Sequence, residues 1–156
     1  MNTYRRNILK GASAASVVTI AAAAGLLRPV TAFAADWNKA GFEAKDLGSA
    51  LSSIGGGSAA ASGDISIKAP DIAENGAVVP VEITSTIPGI ESIAVIGEKN
   101  GFPLIADFKL MNGATGYIST RVKLGATSNV VAVVKAGGKT YKAHKEVKVT
   151  VGGCGG

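Results

Sequence analysis

Short runs of alternating apolar and polar residues dominate the second half of the chain. Near its end, Val147, Val149 and Val151 alternate with Lys148 and Thr150, whereas residues 129–135 are almost wholly apolar. Alternation predicts a strand with one buried face, and a continuous apolar run predicts a central strand buried on both faces. Seven such runs occur, at residues 65–68, 78–85, 90–96, 104–110, 117–124, 129–135 and 141–151.

The residues between these runs are typical of tight turns. Pro88-Gly89, Asn100-Gly101 and Gly137-Gly138 each separate two runs. About seven short strands with frequent turns predict an all-β fold, an immunoglobulin-like antiparallel β-sandwich over residues 64–151. A small barrel is the alternative. Pro80 lies inside one run and predicts an edge strand or a bulge there.

Residues 35–63 follow a different pattern. Leu47, Ala50, Leu51 and Ile54 lie at helical spacing, so we expect one N-terminal helix over residues 37–54 that covers an end or edge of the sandwich. Residues 55–63 (GGGSAAASG) have the composition of a flexible linker.

The first 34 residues have the features of an export signal. Arg5, Arg6 and Lys10 precede an uncharged run over residues 11–27, and an Ala-x-Ala cleavage pattern ends at Ala34. Residues 5–10 (RRNILK) resemble the twin-arginine motif, which implies transport to the bacterial periplasm. A retained membrane helix is the alternative, but the uncharged run has only 17 residues and is rich in small ones. We therefore expect no membrane attachment after cleavage.

The net charge of +5 depends largely on this signal. Four of the 16 basic residues and none of the 11 acidic ones lie in residues 1–34, which leaves 12 − 11, about +1, on the rest. Binding to nucleic acid is therefore not expected. One cysteine and one histidine in the whole chain exclude an internal disulfide and a four-cysteine zinc site, and we expect no bound metal.

The single cysteine, Cys154, lies third from the end of the printed sequence. Gly152 and Gly153 precede it, and Gly155 and Gly156 follow. Four glycines predict a flexible arm, residues 152–156, that leaves the sulfur sterically accessible. A thiol of this kind suits the reversible carriage of a group, and an intermolecular disulfide is the alternative use.

This C-terminal motif resembles that of the SoxY family, the sulfur carriers of the bacterial thiosulfate-oxidising Sox system. Residues 69–81 (APDIAENGAVVPV), 88–96 (PGIESIAVI) and 127–138 (TSNVVAVVKAGG) are also similar to that family. The resemblance implies that Cys154 carries sulfur intermediates, first as a thiosulfonate and then as a persulfide. It implies a carrier without catalytic residues, metal or other cofactor, on which partner enzymes act.

The resemblance also implies the partners. SoxZ would form a heterodimer with this chain, and the SoxXA cytochrome would load thiosulfate onto the cysteine. The SoxB hydrolase would release sulfate, and a SoxCD dehydrogenase would oxidise the remaining sulfur where it is present. A disulfide at Cys154 can also join two heterodimers. A protein of a different functional class remains the alternative: a periplasmic structural or binding sandwich whose cysteine only cross-links chains.

Overall fold

The computed structural model describes residues 37–111 and 113–150. Within these ranges no helix has the length and apolar character needed to span a bilayer. The same ranges contain two short helices and nine strands: α1 (Lys39–Glu43), α2 (Leu47–Ser53), β1 (Ala60–Ala61), β2 (Ile65–Lys68), β3 (Ile72–Ala73), β4 (Val79–Ser85), β5 (Ile90–Gly97), β6 (Leu104–Lys109), β7 (Tyr117–Val122), β8 (Ser128–Ala136) and β9 (Lys139–Val149).

The seven longer strands form an antiparallel sandwich. The larger sheet has the order β1-β9-β8-β5-β6 with β3 alongside β9, and the smaller sheet has the order β2-β4-β7. Apolar side chains of both sheets meet in one core, in which Ile83, Ile93, Val95, Val130 and Val134 are fully buried. The predicted all-β sandwich is therefore confirmed. The described strands form two separate sheets rather than a small closed barrel.

Strand β8 lies at the centre of the larger sheet, as its continuous apolar run predicted. It pairs with β5 on one side and with β9 on the other. Val130 and Val134 point into the core between the sheets, whereas Val131 and Val133 pack with α2 residues such as Leu51 on the opposite face. A layer of helix thus covers the outer face of this sheet, and both faces of β8 are apolar for that reason.

Two short helices replace the single helix predicted over residues 37–54. Both begin at side-chain caps, because Asn38 Oδ1 accepts from Gly41 N at 3.0 Å and Asp46 Oδ1 accepts from Ser49 N at 2.9 Å. α1 ends at Glu43, and Asp46, which has an extended backbone, caps the start of α2. The chain then folds back closely enough that a Cβ on Gly41 would lie 2.5 Å from Ser53 Oγ. The helical prediction was correct, but a second cap divides the helix.

The segment predicted to be a flexible linker packs against the sandwich. Ala60 and Ala61 of β1 pair in parallel with Tyr141 and Lys142 of β9. Thr140 Oγ1 also donates to Gly55 O at 3.0 Å. An uncovered β9 would expose a row of unpaired backbone groups, and β1 and β3 shield two parts of that edge. The composition indicated flexibility because the small side chains of this segment give no apolar pattern. Its backbone pairs with β9 instead.

Pro80 does not place its strand at the edge of the sheet, since β4 runs between β2 and β7. However, β2 pairs only with residues Glu82 to Ser85 of β4. Pro80 lies beyond the end of β2 and opposite Arg121 of β7, so β4 has one neighbour at this point. The strand is locally an edge, which explains how it tolerates a residue without a backbone N–H.

Asp46 should make the stability of the fold depend on pH. The Ser49 hydroxyl and backbone N–H both donate to its carboxylate and hold the pKa of Asp46 below its ordinary value. The stabilisation is therefore present above the unfolded-state pKa and lost as the pH falls through the lower, folded-state pKa. We expect Asp46→Asn, which keeps a capping oxygen, to lower the thermal midpoint at neutral pH but not in strong acid. Circular-dichroism melts across this range provide the test, and an equal difference at both ends would contradict the expectation.

Candidate carrier site

The predicted functional residues lie outside the described part of the chain. Cys154 and the arm glycines Gly152, Gly153, Gly155 and Gly156 follow the last described residue, Thr150, and the export-signal residues Arg5 and Arg6 precede the first. The structure does place Val149 and Thr150, the last described residues before Cys154.

Hydrogen bonds on both sides hold the end of β9. Val149 N donates to Thr127 Oγ1 at 2.9 Å, and Thr150 N donates to Ala73 O at 3.1 Å. The chain is packed closely here, because a Cβ on Gly76 would lie 2.7 Å from a methyl group of Val149. We call residues Val149 and Thr150 with these partners the arm root. Cys154 therefore follows a fixed anchor by four residues.

A basic end face adjoins the arm root. The loop that contains Thr127 also contributes Lys123 to a cavity of about 390 Å³, together with Lys99 and Phe102 of the β5–β6 loop. Lys45 lies over the ring of Phe102, with its Nζ 4.4 Å from the ring centroid. We call Lys45, Lys99, Phe102 and Lys123 the basic end face. Its positive charge attracts anions to the end of the sandwich at which the described part of β9 ends.

Asn100 holds the two loops of this face together. Its Nδ2 donates to Lys123 O at 2.8 Å, and its Oδ1 accepts from Gly125 N at 3.0 Å. From the sequence, Asn100-Gly101 predicted only a turn. The bridge spans more than 20 residues of chain, and no local pattern signals such a contact. The basic end face was missed for the same reason, since its lysines come together only in the fold.

Other charged residues near the end of β9 form surface contacts. Lys145 Nζ lies 3.0 Å from Asp71 Oδ1, and the side chain of Asp71 is exposed. His144 is also exposed. In residues 37–111 and 113–150, no group of three or more His, Cys, Asp or Glu side chains is arranged to hold a metal ion.

The comparison with known families identifies the type of protein. Residues 51–154, two thirds of the chain and its single cysteine among them, match the family described as Sulfur oxidation protein SoxY. The chain belongs to the SoxY family. SoxY proteins are sulfur carriers, so this chain has a role in sulfur oxidation as part of a Sox system. The SoxY family that the sequence indicated is thereby confirmed.

A solved structure agrees with this assignment. The sulfur carrier protein SoxY from Chlorobium limicola f thiosulfatophilum is 41% identical, with a TM-score of 0.62. The match covers 69% of this chain and 95% of that one. An engineered protein with a crystal structure is 13% identical, with a TM-score of 0.40 over 56% of this chain and 20% of its own. No curated protein matches the chain significantly.

Proposed function

We propose that this SoxY chain carries the sulfur of thiosulfate on Cys154, first as a thiosulfonate and then as a persulfide. The observation that supports this most strongly is the extent of the family match. The match includes residue 154, and the only cysteine in the sequence is at that position. Because the sequence contains one thiol, it offers a sulfur carrier of this family one position at which to bind sulfur covalently.

The proposed cycle begins with an oxidation. The terminal sulfur of thiosulfate bonds to Cys154 Sγ, the thiol proton passes to water, and two electrons pass to the SoxXA cytochrome. In the SoxB hydrolase, water then attacks the sulfonate sulfur and the S–S bond to that sulfur breaks. Sulfate and protons leave, and the bonding electrons stay on the carrier as a persulfide. A SoxCD dehydrogenase, where present, removes further electrons from the remaining sulfur.

The geometry of the arm root supports a carrier. Four residues beyond Thr150 reach about 13 Å at roughly 3.3 Å per residue. This length allows the sulfur to enter a narrow enzyme pocket while the sandwich stays outside. Glycine at both sides of Cys154 leaves the sulfur unobstructed. The basic end face lies where the negatively charged substrate and adducts would pass.

We further propose that this cycle takes place in the periplasm and involves specific partners. Residues 1–34, with Arg5 and Arg6, would direct the chain through the twin-arginine route to the periplasm. There SoxZ would form a heterodimer with it, and a disulfide at Cys154 can join two such heterodimers. The chain would hold no metal or other cofactor and would perform no catalytic step itself.

Mass spectrometry of the C-terminal peptide tests the proposal directly. We expect purified protein mixed with thiosulfate and SoxXA to gain the mass of a thiosulfonate on the peptide that contains Cys154. Addition of SoxB should then reduce that gain to one sulfur atom as sulfate appears. Protein mixed with thiosulfate alone is the control, because the oxidation needs an electron acceptor. An unmodified peptide in the complete mixture would contradict the proposal.

A further inference from the structure

The basic end face lies beside the arm root, within the reach of Cys154. Leu124, the neighbour of Lys123, donates its backbone N–H to Gly76 O at 2.7 Å, and a Cβ on Gly76 would lie 2.7 Å from a methyl group of Val149. Cys154 follows the arm root by four residues, which limits its distance from the root to about 13 Å. An enzyme that takes this thiol into a pocket must therefore bring the surface around that pocket against this end of the sandwich.

The charge of the basic end face is not neutralised by ion pairs within the described chain. Lys45, Lys99 and Lys123 are all exposed. None of the ion pairs in residues 37–111 and 113–150 involves them. No acidic side chain of these residues lines the adjoining cavity of about 390 Å³. Three exposed cations at one end of the sandwich attract a surface of opposite charge.

The acidic residues next to this face are directed to other partners. The Asp46 carboxylate caps α2, and the Glu98 carboxylate accepts from Asn129 Nδ2 at 2.7 Å, beside a different cavity. Glu74 and Lys148 are both exposed beside the arm root, and their charges offset each other. The end of the sandwich thus keeps an excess of positive charge around the cavity.

Phe102 gives the basic end face an apolar centre. It is 51% exposed, even though Lys45 Nζ lies over its ring. An exposed aromatic residue among charged ones has the composition of a protein interface, with an apolar anchor and a polar rim. The bonds from Asn100 to Lys123 O and Gly125 N hold the two loops in place. The face is therefore a fixed surface that a partner can recognise.

We propose that the basic end face is the docking surface for the enzymes that act on Cys154, and that it binds an acidic surface around the entrance of their pockets. This inference rests on the proposed carrier function. Carboxylates of the enzyme accept from the lysines, and an apolar side chain of the enzyme covers Phe102. These contacts form outside the pocket, so they increase the rate of productive encounter and take no part in making or breaking bonds.

Kinetics with a preloaded carrier test the proposal. The heterodimer with SoxZ is loaded by SoxXA, freed of thiosulfate and given to SoxB at increasing concentrations, and sulfate release is measured. We expect the double variant Lys99→Glu, Lys123→Glu to raise the KM for the carrier about tenfold at low salt, with kcat unchanged. Added salt should reduce this difference, because it screens charges. An unchanged KM would overturn the proposal.

Single variants with a matched control make the test specific. Lys139→Glu makes the same change of charge at the exposed β8–β9 hairpin, at the opposite end of the sandwich. Lys99→Glu and Lys123→Glu should each raise KM more than Lys139→Glu does. An equal rise in all three would show a general effect of charge and would overturn the proposal. Phe102→Ala should raise KM about threefold or more without a change in its salt dependence, and an unchanged KM would overturn the role of Phe102.

Binding without turnover separates docking from the carrier proposal. Cys154→Ser cannot be loaded, but we expect it to bind SoxB, and Lys99→Glu with Lys123→Glu should weaken that binding about tenfold. No binding of Cys154→Ser would show that the enzyme holds the carrier by its thiol alone, and would overturn the docking surface. Unaltered protein that fails to load would overturn the carrier proposal instead. A higher KM of SoxXA for thiosulfate, with no change in the KM of SoxB for the carrier, would show that the lysines attract only the small anion, and docking would be excluded.

Discussion

Cys154→Ser should reduce thiosulfate-dependent turnover of a reconstituted Sox system to the rate measured without the carrier. A serine hydroxyl cannot form the S–S bond on which each proposed step depends, so no partial activity is expected. The fold should be unaffected, since Val149 and Thr150 are held by hydrogen bonds to Thr127 and Ala73. Turnover is measured as sulfate released, and thermal melts check that the variant folds. Sulfate release equal to that of the unaltered protein would exclude Cys154 as the carrier.

A relocated cysteine provides the matched control for this result. Ser58 is exposed in the segment before β1, and the double variant Cys154→Ser, Ser58→Cys restores one accessible thiol on the body of the sandwich. We expect it to react with a small thiol reagent but not to restore turnover, because a thiol close to the body cannot enter a narrow enzyme pocket. Restored turnover would show that a thiol is required but the arm is not.

The sequence predicted those parts of the fold that depend on local patterns. Period-two alternation located the longer strands, and Gly137-Gly138 predicted the β8–β9 hairpin, in which both glycines adopt positive φ values of 55° and 73°. The apolar run of β8 predicted a central strand. The unusual position of Cys154 among glycines indicated the SoxY family. Each of these signals lies within a few consecutive residues.

The features that the sequence did not predict depend on residues that are distant in the chain. The basic end face forms because Asn100 bridges to Lys123 and Gly125, and each of its lysines alone is an ordinary surface residue. Docking of β1 depends on an exposed edge of β9 more than 75 residues later. The apolar stripe favours one continuous helix, whereas the strong N-cap at Asp46 starts a second one. Periodicity alone does not show which of these two effects prevails.

The glycines beside Cys154 should matter to the partner enzymes but not to the thiol itself. We expect Gly153→Phe to reduce the turnover of the reconstituted system at least tenfold, which corresponds to about 1.4 kcal/mol in the barrier. A phenyl ring next to the cysteine obstructs entry into a pocket that accepts a backbone without side chains. The rate with a small thiol reagent should be unchanged, because such a reagent approaches the sulfur from solvent.

A second glycine separates this steric effect from a general effect of adding a ring. Gly63 is exposed, and a Cβ built on it has no heavy atom within 4 Å, so Gly63→Phe adds the same side chain away from the arm. This variant should retain the turnover of the unaltered protein. If Gly153→Phe also retained it, the enzymes would tolerate bulk beside the sulfur. The glycines would then serve only to extend the arm, and shortening it by deletion of Gly152 would become the decisive change.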